Sequence, residues 1–176
     1  MGAVAWRCIG CDCSMTFAST AGPAKSVLLI FNPTAGRRRR GLVDAVVCRV
    51  RAQGWTVDLV ETAAPGDARR HAEKCDTGRY GVIAVAGGDG TINEVVNGLA
   101  ARASTAPPLA LVPLGTANVL AHELGLGSTA TALAEAITAR HEVLMHPGQA
   151  HGAGRPRCFS LMAGAGFDAK VVAGVS

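Results

Sequence analysis

Residues 82–100 read VIAVAGGDGTINEVVNGLA, and the fold turns on how this stretch is parsed. Val82–Ala86 is apolar throughout, which reads as a strand buried on both faces. Gly87–Gly90 breaks the run. From Ile92 to Ala101 the apolar residues Ile92, Val95, Val96 and Leu99 recur at helical spacing and fall on one face. The stretch is therefore strand, glycine turn, helix.

The same grammar extends in both directions. Ser26–Phe31 (SVLLIF) reads as a buried strand, followed by the turn Asn32–Gly36 and a helix over Leu42–Ala52 that Gly54 ends. Trp55–Val60 alternates and gives a second strand, and Asp67 is expected to cap a helix running to Lys74. After Val82–Ala86 come a strand at Leu109–Val112, a helix at Ala117–Leu124 and a helix capped by Ser128 or Thr129. Strands at His141–Met145 and Cys158–Ala163 complete the series. Apolar strands alternating with amphipathic helices predict an α/β fold, a parallel sheet with a layer of helices on each face. Three layers of this kind suit a nucleotide-binding domain over residues 25–142. Residues 1–24 are expected to be a disordered leader, with Met15 an alternative start.

Composition agrees. Hydrophobic residues make up 49% and charged residues 17%, enough for a sizeable core, and with aromatics at 4% that core must be mostly Ala, Val and Leu. No stretch reaches the roughly 20 apolar residues of a membrane span. Cys8, Cys11 and Cys13 form C-x-x-C-x-C, but no fourth metal ligand stands near. Much of the net charge of +4 comes from Arg37–Arg40, a run that suits phosphate, anionic lipid or a solvated loop. Scarce aromatics argue against a nucleic-acid platform.

In a parallel sheet ligands bind beyond the carboxyl ends of the strands. Three glycine-bearing turns lie at such ends here: Asn32–Gly36, Gly87–Thr91 and Gly115–Asn118. Glycines let a backbone approach a ligand, and a helix that opens directly after them offers N–H groups and a positive dipole end to phosphate. Asp89 would repel a bare phosphate. It makes sense if it holds magnesium or accepts the proton of an attacking hydroxyl. Thr91 adds a hydroxyl, and Glu94 could hold the loop, a metal water or simply complement the helix dipole. No Gly-Lys-Ser/Thr follows at P-loop spacing, and no G-x-G-x-x-G is present at the turn.

NPTAG at 32–36, GGDGTINEVVNGL at 87–99 and PLGTANVLAHELGL at 113–126 together resemble the diacylglycerol kinase catalytic family, which includes bacterial lipid kinases and the sphingosine and ceramide kinases. The order and spacing match from about Lys25 to Met145, and Gly164–Ala169 resembles the family's G-x-G-F-D-A stretch. The resemblance implies transfer of the ATP γ-phosphate, with magnesium, to a lipid hydroxyl such as that of diacylglycerol, giving phosphatidic acid. It implies a cytoplasmic protein, peripheral at the inner membrane face, with lipid as partner, no nucleic acid, and a homodimer as an option. Nucleotide contacts would fall on Asn32, Pro33, Thr34, Ala35, Gly36, Thr62, Gly88, Asp89, Gly90, Thr91, Ile92, Asn93, Glu94 and Thr116, with Asp89 catalytic. Thr62 enters only through the resemblance. Two departures stand out. Val119 replaces the Asp that commonly follows G-T-x-N, and the chain stops at Ser176, where relatives continue through a β-rich second domain, of which the resemblance makes 143–176 the beginning. The alternatives are a catalytically impaired nucleotide-binding fragment and an NAD-kinase-like phosphotransferase, since NAD kinases also carry Gly-Gly-Asp-Gly after a strand.

Overall fold

The computed structural model describes residues 4–6 (backbone only), 24–35, 39–100, 106–152, 156–164, 166, 169–171 and 174. The cysteine cluster at 8–13 and Met15 lie outside them, as do Gly36, Arg37, Arg38, Phe167 and Asp168.

Chain order among these residues is β1 (Val4–Trp6), β2 (Ser26–Phe31), α1 (Arg40–Ala52), β3 (Thr56–Glu61), α2 (Asp67–Lys74), β4 (Val82–Gly87), α3 (Asp89–Ala100), β5 (Leu109–Pro113), α4 (Val119–Glu123), α5 (Ala130–Thr138), β6 (Val143–Met145), β7 (Gly148–Ala150) and β8 (Arg157–Phe159). The main sheet runs β3-β2-β4-β5-β1-β6, and its first four strands are parallel. This is the expected α/β architecture.

Strand composition explains the layers. In β2, Val27, Leu29 and Phe31 face one side and pack with Val43, Val46 and Val50 of α1 and Leu133 and Ile137 of α5. Leu28 and Ile30 face the other side with Ile83 and Val85, and meet Ala68 and Ala72 of α2 and Ile92, Val95 and Leu99 of α3. A strand sandwiched between two helical layers has no polar face, so every residue of β4 and β5 is buried. The α2 and α3 helices cross closely because position 98 has no side chain. A Cβ at Gly98 would stand 2.6 Å from the Arg69 carbonyl oxygen and 2.7 Å from the Ala72 Cβ.

Strand order also locates the cleft. From β2 the chain passes through α1 to β3 on one side; from β4 it passes through α3 to β5 on the other. Loops leaving β2 and β4 therefore diverge and open a crevice at their carboxyl ends, a topological switch point.

Several sequence expectations are corrected. Val4–Trp6, within the expected disordered leader, is strand β1, antiparallel to β5 and parallel to β6. The sheet is thus mixed at that edge. Strand β6 lies beyond the expected domain boundary at 142, yet it belongs to this sheet. The expected sixth strand at 158–163 is shorter and pairs with β7, which the sequence did not suggest, in a two-stranded hairpin. Three-residue strands are too short to show periodicity. Asp67 does not cap α2. Its carboxylate accepts from the N–H groups of Ala63 and Ala64 in the preceding loop, each at 2.8 Å, and Gly66 takes the cap position at φ 85°. Of the two candidates for capping α5, Thr129 does so, accepting from the Ala132 N–H.

Candidate functional site

At the end of β2 the Asn32 N–H donates to the Ala86 carbonyl of β4 at 2.8 Å, prolonging the sheet by one bond. The Asn32 side chain then organises two loops at once. Its Oδ1 accepts from the Thr34 N–H (3.0 Å), the Thr34 hydroxyl (2.7 Å) and the Ala35 N–H (3.4 Å), which folds the turn back on itself. Its Nδ2 donates to Thr91 Oγ1 at 2.9 Å, across to the first turn of α3. Thr91 is buried and uses its oxygen as an acceptor here, so its own hydroxyl hydrogen remains to be donated elsewhere.

The glycine turns meet beside it. A Cβ on Gly115 would stand 2.8 Å from the Gly88 Cα, and one on Gly87 would collide with the Thr91 side chain at 2.7 Å. Both turns need glycine for close approach rather than for unusual φ. Asn118 takes the left-handed conformation instead (φ 47°), and its Nδ2 donates to the Gly115 carbonyl at 2.7 Å, closing the turn before α4.

A cleft of about 390 Å³ opens here, lined by Asn32, Thr34, Ala35, Thr62, Gly88, Gly90, Thr91 and Glu94. Its remaining wall is Ala63, Ala64, Pro65 and Ala68. Sequence reasoning missed those four, because alanine and proline carry no chemistry to flag. Their one signal was position: they follow the strand adjacent to β2. Thr62 is set by its N–H, which donates to the Phe31 carbonyl at 2.9 Å. Glu94 reaches across the cleft, its Oε1 accepting from the Gly66 N–H at 2.9 Å, and so ties α3 to the start of α2.

Other expected contacts fall elsewhere. Ile92 is a core residue on the α3 face of the sheet, 1% exposed, so a side-chain contact to ligand is not available to it. Pro33 and Asn93 are half-buried beside the cleft without lining it, and Thr116 is exposed on the turn after β5. Gly36 lies outside the described residues.

Asp89 stands between two lining glycines. Its Oδ1 is out of solvent and has no hydrogen-bond partner among the described residues. A carboxylate oxygen left so is costly unless a cation or a donor completes it. The residue therefore fits a magnesium ligand or an acceptor for a substrate hydroxyl. Asn118 Oδ1 is likewise buried and without a hydrogen-bond partner among the described residues. Among the described residues no cluster of three or more His, Cys, Asp or Glu side chains could form a metal site by itself.

The basic run is partly occupied. Arg40 pairs with Asp44 at 3.1 Å and with Glu61, and its guanidinium lies 5.2 Å from the centre of the Phe31 ring. Hydrogen bonds to Glu61 and then Asp44 raise its pKa further above the usual arginine value. Arg39 donates to the Pro113 carbonyl at 3.4 Å, near the Gly115 turn. No helix among the described residues is long and apolar enough to cross a membrane.

Proteins similar to this chain include kinases by name. A diacylglycerol kinase of Staphylococcus haemolyticus (strain JCSC1435) is 40% identical over 106 residues, 59% of this chain and 32% of that protein. A diacylglycerol kinase of Staphylococcus aureus (strain Newman) is 40% identical over 96 residues, 53% of this chain and 30% of that protein. The chain thus spans about a third of the length of these curated relatives. The crystal structure of a diacylglycerol kinase from Bacillus anthracis str. Sterne superposes with a TM-score of 0.56 at 31% identity, over 65% of this chain and 42% of that one. The family model for the diacylglycerol kinase catalytic domain matches residues 26–150, and the chain belongs to that family.

Proposed function

We propose that the cleft between β2 and β4 binds ATP and that this domain serves transfer of its γ-phosphate to a lipid hydroxyl, such as that of diacylglycerol, giving phosphatidic acid. The observation that carries this reading is the Asn32–Thr91–Gly88–Gly115 assembly, where two glycine turns and a helix start converge on one cleft. The relatives' names support the acceptor class.

In phosphoryl transfer the protein mainly positions groups and stabilises charge. The start of α3 supplies N–H groups and a positive dipole end to the phosphates. Thr91 holds its hydroxyl hydrogen free for a phosphate oxygen, because Asn32 occupies its lone pair. The small, apolar wall of Ala63, Ala64, Pro65 and Ala68 suits a flat base or sugar more than a charged group. Magnesium, held through Asp89, would offset the phosphate charge. Asp89 also orients the acceptor by accepting a hydrogen bond from its hydroxyl. With Val119 after Asn118, no carboxylate stands at that position to take part. With a lipid acceptor held in a bilayer, the chain would act as a peripheral protein at the inner membrane face.

The test is incubation with γ-labelled ATP and magnesium, offering diacylglycerol, sphingosine and ceramide in vesicles, and NAD in solution. Label in a phospholipid supports the reading. Label in NAD phosphate alone would replace it with the NAD-kinase-like one, and ATP binding without transfer to any acceptor would leave a nucleotide-binding module.

A further inference from the structure

Asn97, a polar side chain on α3 that does not line the cleft, is held by hydrogen bonds to two separate elements. Asn97 Oδ1 accepts from the Cys158 N–H at 2.8 Å, and Asn97 Nδ2 donates to the Cys158 carbonyl at 2.8 Å. The second hydrogen of Nδ2 goes to the Asn93 carbonyl, also at 2.8 Å. A side-chain amide carries the same donor and acceptor as a peptide unit. Asn97 therefore stands beside β8 as a neighbouring strand would.

Cys158 is opposite Gln149 in the β7–β8 pair. In an antiparallel ladder alternate residues turn their N–H and C=O away from the partner strand. Cys158 is such a residue, since both its groups face Asn97. Its side chain is buried, 7% exposed, among Ile92, Val95 and Leu99 of the α3 layer. A two-stranded hairpin of three-residue strands is marginal by itself. Among the described residues, Asn97 bonds both backbone groups of Cys158 and so ties this hairpin to the helix that carries the cleft.

We infer that Asn97 is a positioning residue linking occupancy of the nucleotide cleft to the order of the β7–β8 hairpin. Thr91 and Glu94 line the cleft on the first turns of α3, and Asn97 follows Glu94 by three residues on that helix. A ligand that fixes the start of α3 fixes the platform on which the hairpin sits. By reciprocity, a hairpin held in register favours the arrangement of α3 that binds ligand. This inference rests on the ATP reading of the cleft.

The experiment measures amide hydrogen exchange at Cys158 by NMR, with and without magnesium-ATP, on the whole chain and on Asn97→Ala and Asn97→Asp. Calorimetry measures ATP binding in parallel. Magnesium-ATP is expected to slow exchange at Cys158 in the unaltered chain by about fivefold or more. In Asn97→Ala, ligand-free exchange should be about tenfold faster, the loss of one hydrogen bond, and the response to ATP should fall below about twofold. Asn97→Asp keeps the acceptor for the Cys158 N–H but sets an oxygen against the Cys158 and Asn93 carbonyls, so its ATP response should also fall below about twofold, giving a second reading if the alanine variant does not fold. An equal ATP response in Asn97→Ala or Asn97→Asp and in the unaltered chain would overturn the linkage, as would ATP binding that leaves Cys158 unaffected. Absence of calorimetric binding would sink the ATP reading and the linkage together.

Discussion

Asn32 Nδ2 lies 2.9 Å from Thr91 Oγ1, and this one bond braces the turn after β2 against the first turn of α3. The two residues are far apart in sequence but adjacent in the sheet order, because β2 and β4 are neighbours. Thr91→Val keeps the shape and removes the hydroxyl, leaving a part-buried amide donor without its acceptor. The expected cost is about 1–2 kcal/mol of stability by urea denaturation. ATP affinity should fall about tenfold or more, since the variant loses both the brace and a hydroxyl for phosphate. Unchanged affinity in a folded variant would remove Thr91 from the phosphate site.

Asp89 should behave in the opposite way towards stability. Asp89→Ala deletes a buried oxygen that has no partner among the described residues, so the unfolding free energy should stay the same or rise by about 1 kcal/mol. Phosphoryl transfer should be lost. A variant that transfers phosphate as well as the unaltered chain would show that the carboxylate serves neither metal nor acceptor.

Gly115 and Gly90 separate close approach from mere flexibility. Gly115→Ala places a Cβ 2.8 Å from the Gly88 Cα and 2.9 Å from Asn118 Oδ1, so backbone must shift. It should cost about 1–3 kcal/mol and weaken ATP binding. Gly90→Ala meets nothing within 4 Å. It should leave thermal stability nearly unchanged, and a large loss there would mean that the turn tolerates no added atom even where space is open.

Tyr80 gives the fold an alkaline limit. Burial first, then its 2.8 Å hydrogen bond to Asp58, raises its pKa above the ordinary value of 10.0. The folded state holds this proton more tightly than the unfolded state. The resulting stabilisation is complete below pH 10.0 and is lost as pH rises through the folded-state value. Tyr80→Phe should therefore lose less stability than the unaltered chain between pH 10 and higher pH, as read by urea midpoints. Parallel curves would contradict it.

Much of this was legible in the sequence, for physical reasons that can be named. The four parallel strands show as apolar runs because helices cover both faces. The turns show because the close contacts of Gly115 with Gly88 and of Gly87 with Thr91 leave no room for a Cβ at positions 115 and 87. Less legible were features set by distant partners. Asp67 has the composition of a helix cap, but the Ala63 and Ala64 N–H groups capture its carboxylate. Val4–Trp6 finds a place between β5 and β6 that no local pattern announces. Ile92 sits inside the glycine-rich motif in sequence, yet helical geometry turns it into the core. Glu94 could be read as a metal ligand, a loop tether or a dipole partner. Only the position of Gly66 on the neighbouring helix shows the tether.

The most direct measurement is a magnesium-ATP titration followed by backbone amide NMR. Binding in this cleft predicts the largest shifts at Asn32, Thr34, Ala35, Thr62, Gly88, Gly90 and Thr91, with Asp89→Ala retaining the fold. Saturable shifts confined to other surfaces, or no shifts at these amides at millimolar ATP, would contradict it.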